Sequence, residues 1–247
     1  MPNEQAPFEL ILFGGIRLRG PSEEVEHLLV NGKATALLAY LALPTVGRFV
    51  RRDTLGGLLW PELDQSRART SLRKTMHAIR QALGVGALLS RGDEDVALSS
   101  GVVWCDASAF TEAADSGFLL AALQLYRGEL MPGFHLSECW EFDQWLDEER
   151  RAARERASAA AWALAQRLET EEQYSDAAGM ARQSVRYSWS DERALRRAVA
   201  MLDRLGDRAS ALRLFEEFAR RLRAELDVEP SPETLDLANR IRSGARS

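Results

Sequence analysis

The chain has 247 residues, 46% of them apolar and 28% charged, a length that favours two domains and a composition that argues against wholesale disorder. Two cysteines, Cys105 and Cys139, allow at most one disulfide. The N-terminal MPNEQAPFEL lacks the basic start and apolar stretch of a signal peptide, and TALLAYLALPTV is too short to cross a bilayer, so the reading is cytoplasmic, with no membrane partner.

The formal net charge is −5, yet residues 48 to 91 hold nine Lys/Arg against three acids, a local balance of +6. FELILFGGIRLRG, at the start, has short β-rich runs on either side of Gly14-Gly15, as in a small hairpin or meander. A buried helix is expected from Lys33 to Leu43, stopped by Pro44. A second runs from about Arg51 or Asp53 to Trp60, halted by Pro61, and a third from about Ser66 to Leu83, with Gly84 as its C-terminal cap.

At 100° per residue, Ala68, Leu72, Met76, Ile79 and Leu83 of the third helix fall on one stripe that faces a core. The opposite face carries Arg67, Thr70, Lys74, His77 and Gln81, with Arg73 and Arg80 on a flank. From Ser66 to Gly84 there are five basic residues and no acid, whereas surface helices usually mix the two signs, so this helix calls for an anionic partner. LLSRG and DVALSS then read as a hairpin around Gly92 to Asp95. Helix, helix, long basic helix and hairpin is the order of a winged helix-turn-helix.

From Ala107 the pattern turns almost wholly helical. QYSDAAGMARQSV from Gln173 and DRASALRLFEEFA from Asp207 align Ala177 with Ala211 and Met180 with Leu214 at an offset of 34, the tetratricopeptide period. The expected architecture is mainly α with a small β component, with a winged helix-turn-helix over 1–105 and an all-α tetratricopeptide-like domain over 106–247.

No catalytic residue, metal site or cofactor is expected. HLLVNGKA, at 27 to 34, mimics the end of a phosphate loop but has His27 where the first glycine belongs and Ala34 in place of Ser or Thr. His135 and Cys139 are four apart, and two ligands do not make a metal site. The tryptophans at 60, 104, 140, 145, 162 and 189 are read as core.

LLAYLAL, LLWPELDQSRARTSLRKTMHAIRQALG and WCDASAF closely resemble the antibiotic-regulatory-protein type of bacterial activator. ALQLYRGELMPGF, WLDEERRAARERA and DRASALRLFEEFARRLRAELDVEPSPET resemble the bacterial transcriptional activator domain, so the likeness runs from about Phe8 to about Ile241. It implies an OmpR-like winged helix whose third helix enters the major groove of double-stranded promoter DNA at repeats near the −35 element. It further implies recruitment of the RNA polymerase holoenzyme, partly through the loop Pro61, Glu62, Leu63, Asp64 and Gln65. Within that frame Arg67, Arg69, Arg73, Arg51 and Arg91 are the candidate phosphate contacts, and Thr70, Lys74 and His77 the candidate base contacts. One departure stands out: the wing tip Asp93-Glu94-Asp95 is acidic, which leaves Arg91 as the wing's candidate contact. A homodimer on DNA and a peptide or protein ligand of the helical domain stay open. A tetratricopeptide scaffold whose winged helix serves only protein contact is the alternative, and an enzyme finds no motif.

Overall fold

A computed structural model describes residues 6–21, 23–43 and 46–244. Contacts divide the chain into two compact units, 1–153 and 154–247.

Unit 1 opens with strand β1 (Phe8–Ile11), which pairs antiparallel with β2 (Arg17–Arg19). The turn between them needs Gly14, at φ 71, where an added Cβ would stand 2.9 Å from the Arg127 carbonyl oxygen. On its other edge β1 pairs parallel with β6 (Val103–Cys105). After a 3₁₀ segment, Glu23–Val30, helix α1 (Gly32–Ala42) starts where the Asn31 side chain accepts from the Lys33 and Ala34 amides. The phosphate-loop look-alike is thus the N-cap of a buried helix. Pro44, its expected stop, lies outside the described residues.

Helix α2 (Arg52–Leu59) and helix α3 (Gln65–Leu83) complete the helix-turn-helix, and they pack on each other and on α1. Ala68, Leu72, Met76, Ile79 and Leu83 are all buried, joined by Thr75. Gly84 caps α3 at φ 89. The hairpin of β4 (Leu88–Arg91) and β5 (Asp95–Leu98) follows. It gains a third strand, β3 (Val50–Arg51), that pattern reading missed: Val50 faces Val96 and Arg51 faces Asp95. Two residues are too short a run for any periodicity to register.

The change of sequence pattern at 105/106 and the division of packing at 153/154 do not coincide, and the reason is physical. Helix α4 (Asp106–Asp115) begins with a buried carboxylate that accepts from the Leu12 amide at 2.8 Å and the Phe13 amide at 3.1 Å, across the end of β1. Phe13 packs its ring against Phe110 of α4 and Tyr126, just after helix α5 (Leu119–Leu125). Trp145 lies within the long helix α6 (Trp140–Thr170), and its ring meets Tyr40 of α1 at 4.6 Å between centroids. Arg150 of α6 donates from Nε to the Leu130 carbonyl and from Nη2 to those of Met131 and Phe134. Residues up to 153 therefore complete the hydrophobic core of unit 1.

Unit 2 takes up the remainder of α6 with α7 (Tyr174–Tyr187), α8 (Glu192–Arg204), α9 (Arg208–Leu226) and α10 (Pro232–Ser243). Helices α7 and α9 start 34 residues apart, the period read from the sequence, and Ala177 and Ala211 are both fully buried. Helix α8 packs on α7 and α9, and α10 on α8 and α9. One core holds Ala165, Val185, Leu195, Leu202, Phe215 and Ile241. Small side chains at such contacts let helix pairs stack closely, as in tetratricopeptide arrays. Most tryptophans are at least partly buried, but Trp140 is 66% exposed, against the core reading. As the first residue of α6 it faces no preceding turn of that helix. Among the described residues no helix is long and apolar enough to cross a membrane.

Candidate nucleic-acid interface

The interface is built outward from α3. Asp64, with extended backbone, accepts from the Arg67 amide at 3.0 Å and so caps the helix. Its other carboxylate oxygen lies 3.3 Å from Arg67 Nε. The expected loop Pro61 to Gln65 therefore ends one residue early: Gln65 is already helical, and its side-chain Nε2 donates to Asp53 at 3.3 Å. Pro61 and Glu62 are exposed and Leu63 is half-buried.

The cations expected to act alike fall into two groups. Arg69 forms a two-pronged pair with Asp53 of α2, at 2.7 and 2.8 Å. That guanidinium holds the Asp53 carboxyl below its ordinary range, and the carboxylate in turn raises Arg69. Arg51 pairs with Glu94 at the wing tip at 2.5 Å, and Arg91 lies over the Phe49 ring at 4.1 Å. By contrast, Arg73 and Lys74 are exposed and have no ion-pair partner among the described residues. His77 is exposed beside them, one turn beyond. Thr70 is exposed too, but its hydroxyl donates back to the Ser66 carbonyl at 3.0 Å. This leaves its oxygen to accept and its methyl to make apolar contact.

Two further arginines fix the wing. Arg52 and Arg80 each donate to the Ser90 hydroxyl, at 3.0 and 3.2 Å. The Arg52 amide donates to the Glu94 carbonyl at 2.8 Å. The acidic tip, a departure from a groove-contacting wing, is thus in part the counter-charge for Arg51. Sequence reasoning missed Asp53, Arg52 and Ser90. Asp53 meets Arg69 across 16 residues of chain and Arg52 meets Ser90 across 38, and no local spacing marks these pairs.

A winged helix-turn-helix with an acid-free third helix, followed by stacked helix pairs, is the build of a transcriptional regulator. The chain belongs to the bacterial transcriptional activator domain family, whose model matches residues 97–242, from within β5 to the end of α10. It is a regulator of the antibiotic-regulatory-protein type. The matched segment overlaps both compact units. No curated protein matches the chain. Among solved structures, Mycobacterium tuberculosis EmbR in complex with a low-affinity phosphopeptide is similar at a TM-score of 0.64 and 20% identity. The match covers 98% of this chain and 66% of that one, so this chain spans just under two thirds of its length. At that identity the likeness speaks for the fold.

Proposed function

We propose that unit 1 binds promoter DNA sequence-specifically, with α3 in the major groove, and that the chain activates transcription by recruiting RNA polymerase. One observation carries the DNA-binding half. On a helix without a single acid, Arg73, Lys74 and His77 are exposed, and the two cations have no ion-pair partner among the described residues. A duplex carries about one negative charge per 1.7 Å of axis, and cations that meet it release condensed counterions. Unpaired cations gain most from that exchange because they surrender no protein partner.

Arg73 is assigned to phosphate, and Thr70, Lys74 and His77 to base edges. Arg67, Arg69 and Arg51 are assigned to phosphate as well, but each must share or leave an acid to reach it, so their contributions are smaller. Arg91 serves from the wing, held by Phe49. In the loop assigned to polymerase Pro61, Glu62, Asp64 and Gln65 are exposed, and Asp64 and Gln65 also hold the start of α3. Leu63, Asp64 and Gln65 support its shape.

The test is binding of the purified chain to its selected operator and to random DNA over a salt series. Replacing Thr70, Arg73, Lys74 and His77 together by alanine should abolish the preference for operator and flatten the salt dependence. Unchanged operator affinity and unchanged salt dependence in a folded quadruple variant would overturn the placement of α3. Activation is tested separately, by transcription in vitro with Glu62→Ala, which should lose activation while keeping operator affinity.

A further inference from the structure

Lys33 and Cys139 lie 106 residues apart in the chain, yet their functional atoms meet. The Asn31 cap places Lys33 in the first turn of α1. Its ammonium donates to the Leu59 carbonyl at the end of α2 and to Cys139 Sγ at 2.8 Å, and it stands 5.7 Å from the centroid of the Trp60 ring. The Cys139 thiol in turn faces the same Leu59 carbonyl at 3.4 Å. Cys139 is fully buried and Lys33 half-buried, so solvent reaches the pair along the lysine. No carboxylate among the described residues lies within ion-pair distance of Lys33. An amine and a thiol in contact, both inside unit 1, are what a short covalent link needs.

We propose that Lys33 and Cys139 are the two ends of an oxidative crosslink, Nζ–O–Sγ, formed when the protein meets hydrogen peroxide. The first peroxide oxidises the thiol: an S–O bond forms, the peroxide O–O bond breaks, and water leaves a sulfenic acid. In the second step the lysine, as its free amine, joins that oxygen. The N–O bond replaces one N–H and the O–H bond, and the two electrons and two protons released reduce a second peroxide to two waters. In total one thiol, one amine and two peroxides give one bridge and three waters. Four electrons and four protons, from two equivalents of a dithiol, reverse it, restoring thiol and amine and releasing one water.

Two features favour the bridge over further oxidation of the sulfur. Peroxide approaches past the half-buried lysine and so meets the amine before the fully buried sulfur, while that amine is held at contact and gains the advantage of an intramolecular partner. Cys105 supplies an internal comparison. It is buried as well, among the described residues no lysine hydrogen-bonds to it, and burial pushes its thiol up to about 12, so it stays protonated and has no amine to join. A bridge would tie α1 to the residue preceding α6 and remove the ammonium that serves the end of α2.

The test uses the full chain, treated with hydrogen peroxide, digested without reductant and analysed by mass spectrometry. The expected product is a linked pair of peptides containing Lys33 and Cys139, heavier than their sum by one oxygen less two hydrogens and separated again by dithiothreitol. It should persist in Cys105→Ser and vanish in Lys33→Arg and Cys139→Ser. Cys139 recovered as sulfinic acid, as a disulfide with Cys105 or as the untouched thiol, with no linked pair, overturns the proposal. The unaltered chain decides the matter by itself, whether or not a variant folds.

Discussion

Removing a negative charge next to a positive one should strengthen DNA binding here, and Asp53→Asn is the change that isolates the effect. Asp53 accepts from Arg69 at 2.7 and 2.8 Å and from Gln65 at 3.3 Å. At neutral pH the pair is fully ionised, since each partner shifts the other further from titration. In the parent protein a phosphate that approaches Arg69 therefore meets a cation already matched by a carboxylate. Asparagine keeps the shape and one acceptor but leaves the guanidinium uncompensated. One additional phosphate contact steepens the dependence of log K on log salt by about 0.9. Between about 50 and 200 mM salt, affinity should then fall about threefold further than in the parent, from a higher starting point at low salt. Fluorescence anisotropy on operator and random duplexes would show the gain on both, with little change in their ratio. The double variant Asp53→Asn with Arg69→Ala should return the slope to its parental value. A parental slope in Asp53→Asn itself, with helix content unchanged by circular dichroism, would refute the idea that Asp53 neutralises Arg69.

Three other outcomes follow from the packing. Burial pushes the Asp106 carboxyl up to about 6, against the amides of Leu12, Phe13 and Ala107 and the nearby Arg127, which lower it. A folded-state value above the unfolded one means that stability falls as pH rises from about 4 to about 6 and is level above that. The ionised group thus costs about 3 kcal/mol relative to its protonated form. Urea unfolding of Asp106→Asn should lack this fall relative to the parent, and parallel pH profiles would show that Asp106 does not titrate there. A fragment ending at Cys105 loses Asp106, Phe110, Tyr126 and Trp145 from its core and should aggregate or show little tertiary structure. A fragment ending at Ala153 should fold and bind DNA, and equal behaviour of the two would undo the role given to residues 106–153. Ala211→Trp forces a large ring into a fully buried site and should cost about 1–3 kcal/mol or more of stability in unit 2. Operator affinity should stay intact, and a melting curve like the parent's would count against the close α9 contact.

Much of the architecture was legible because it rests on periodicities that a chain repeats. The apolar stripe of α3 recurs every three or four residues, and the helical units recur every 34, so both stand out from single positions. Gly84 marks the C-terminal end of α3 through local capping chemistry. What stayed hidden depends on pairs distant in sequence. Nothing near Arg69 reveals that Asp53 holds it, and nothing near residue 106 reveals that its carboxylate closes the end of β1. Composition shifts at Ala107 because the chain becomes helical there, whereas compact packing ends at Ala153 because the first part of α6 still covers α1. A change of secondary structure and a change of packing unit are different events, and only the first leaves a local trace.

The third strand of the wing bears on how this module could be recombined. Val50 and Arg51 pair with β5, Arg51 neutralises Glu94, Arg52 reaches Ser90, and Phe49 carries Arg91. A hairpin cut out at residues 88–98 and transplanted into a relative would arrive without its matching edge strand, with Glu94 uncompensated and Arg91 without its ring. The transferable cassette is 49–98, because the wing and the helix it flanks share one set of side chains. Exchange of wings between such proteins, in the laboratory or over evolution, should therefore succeed only when the segment ahead of α2 travels with them.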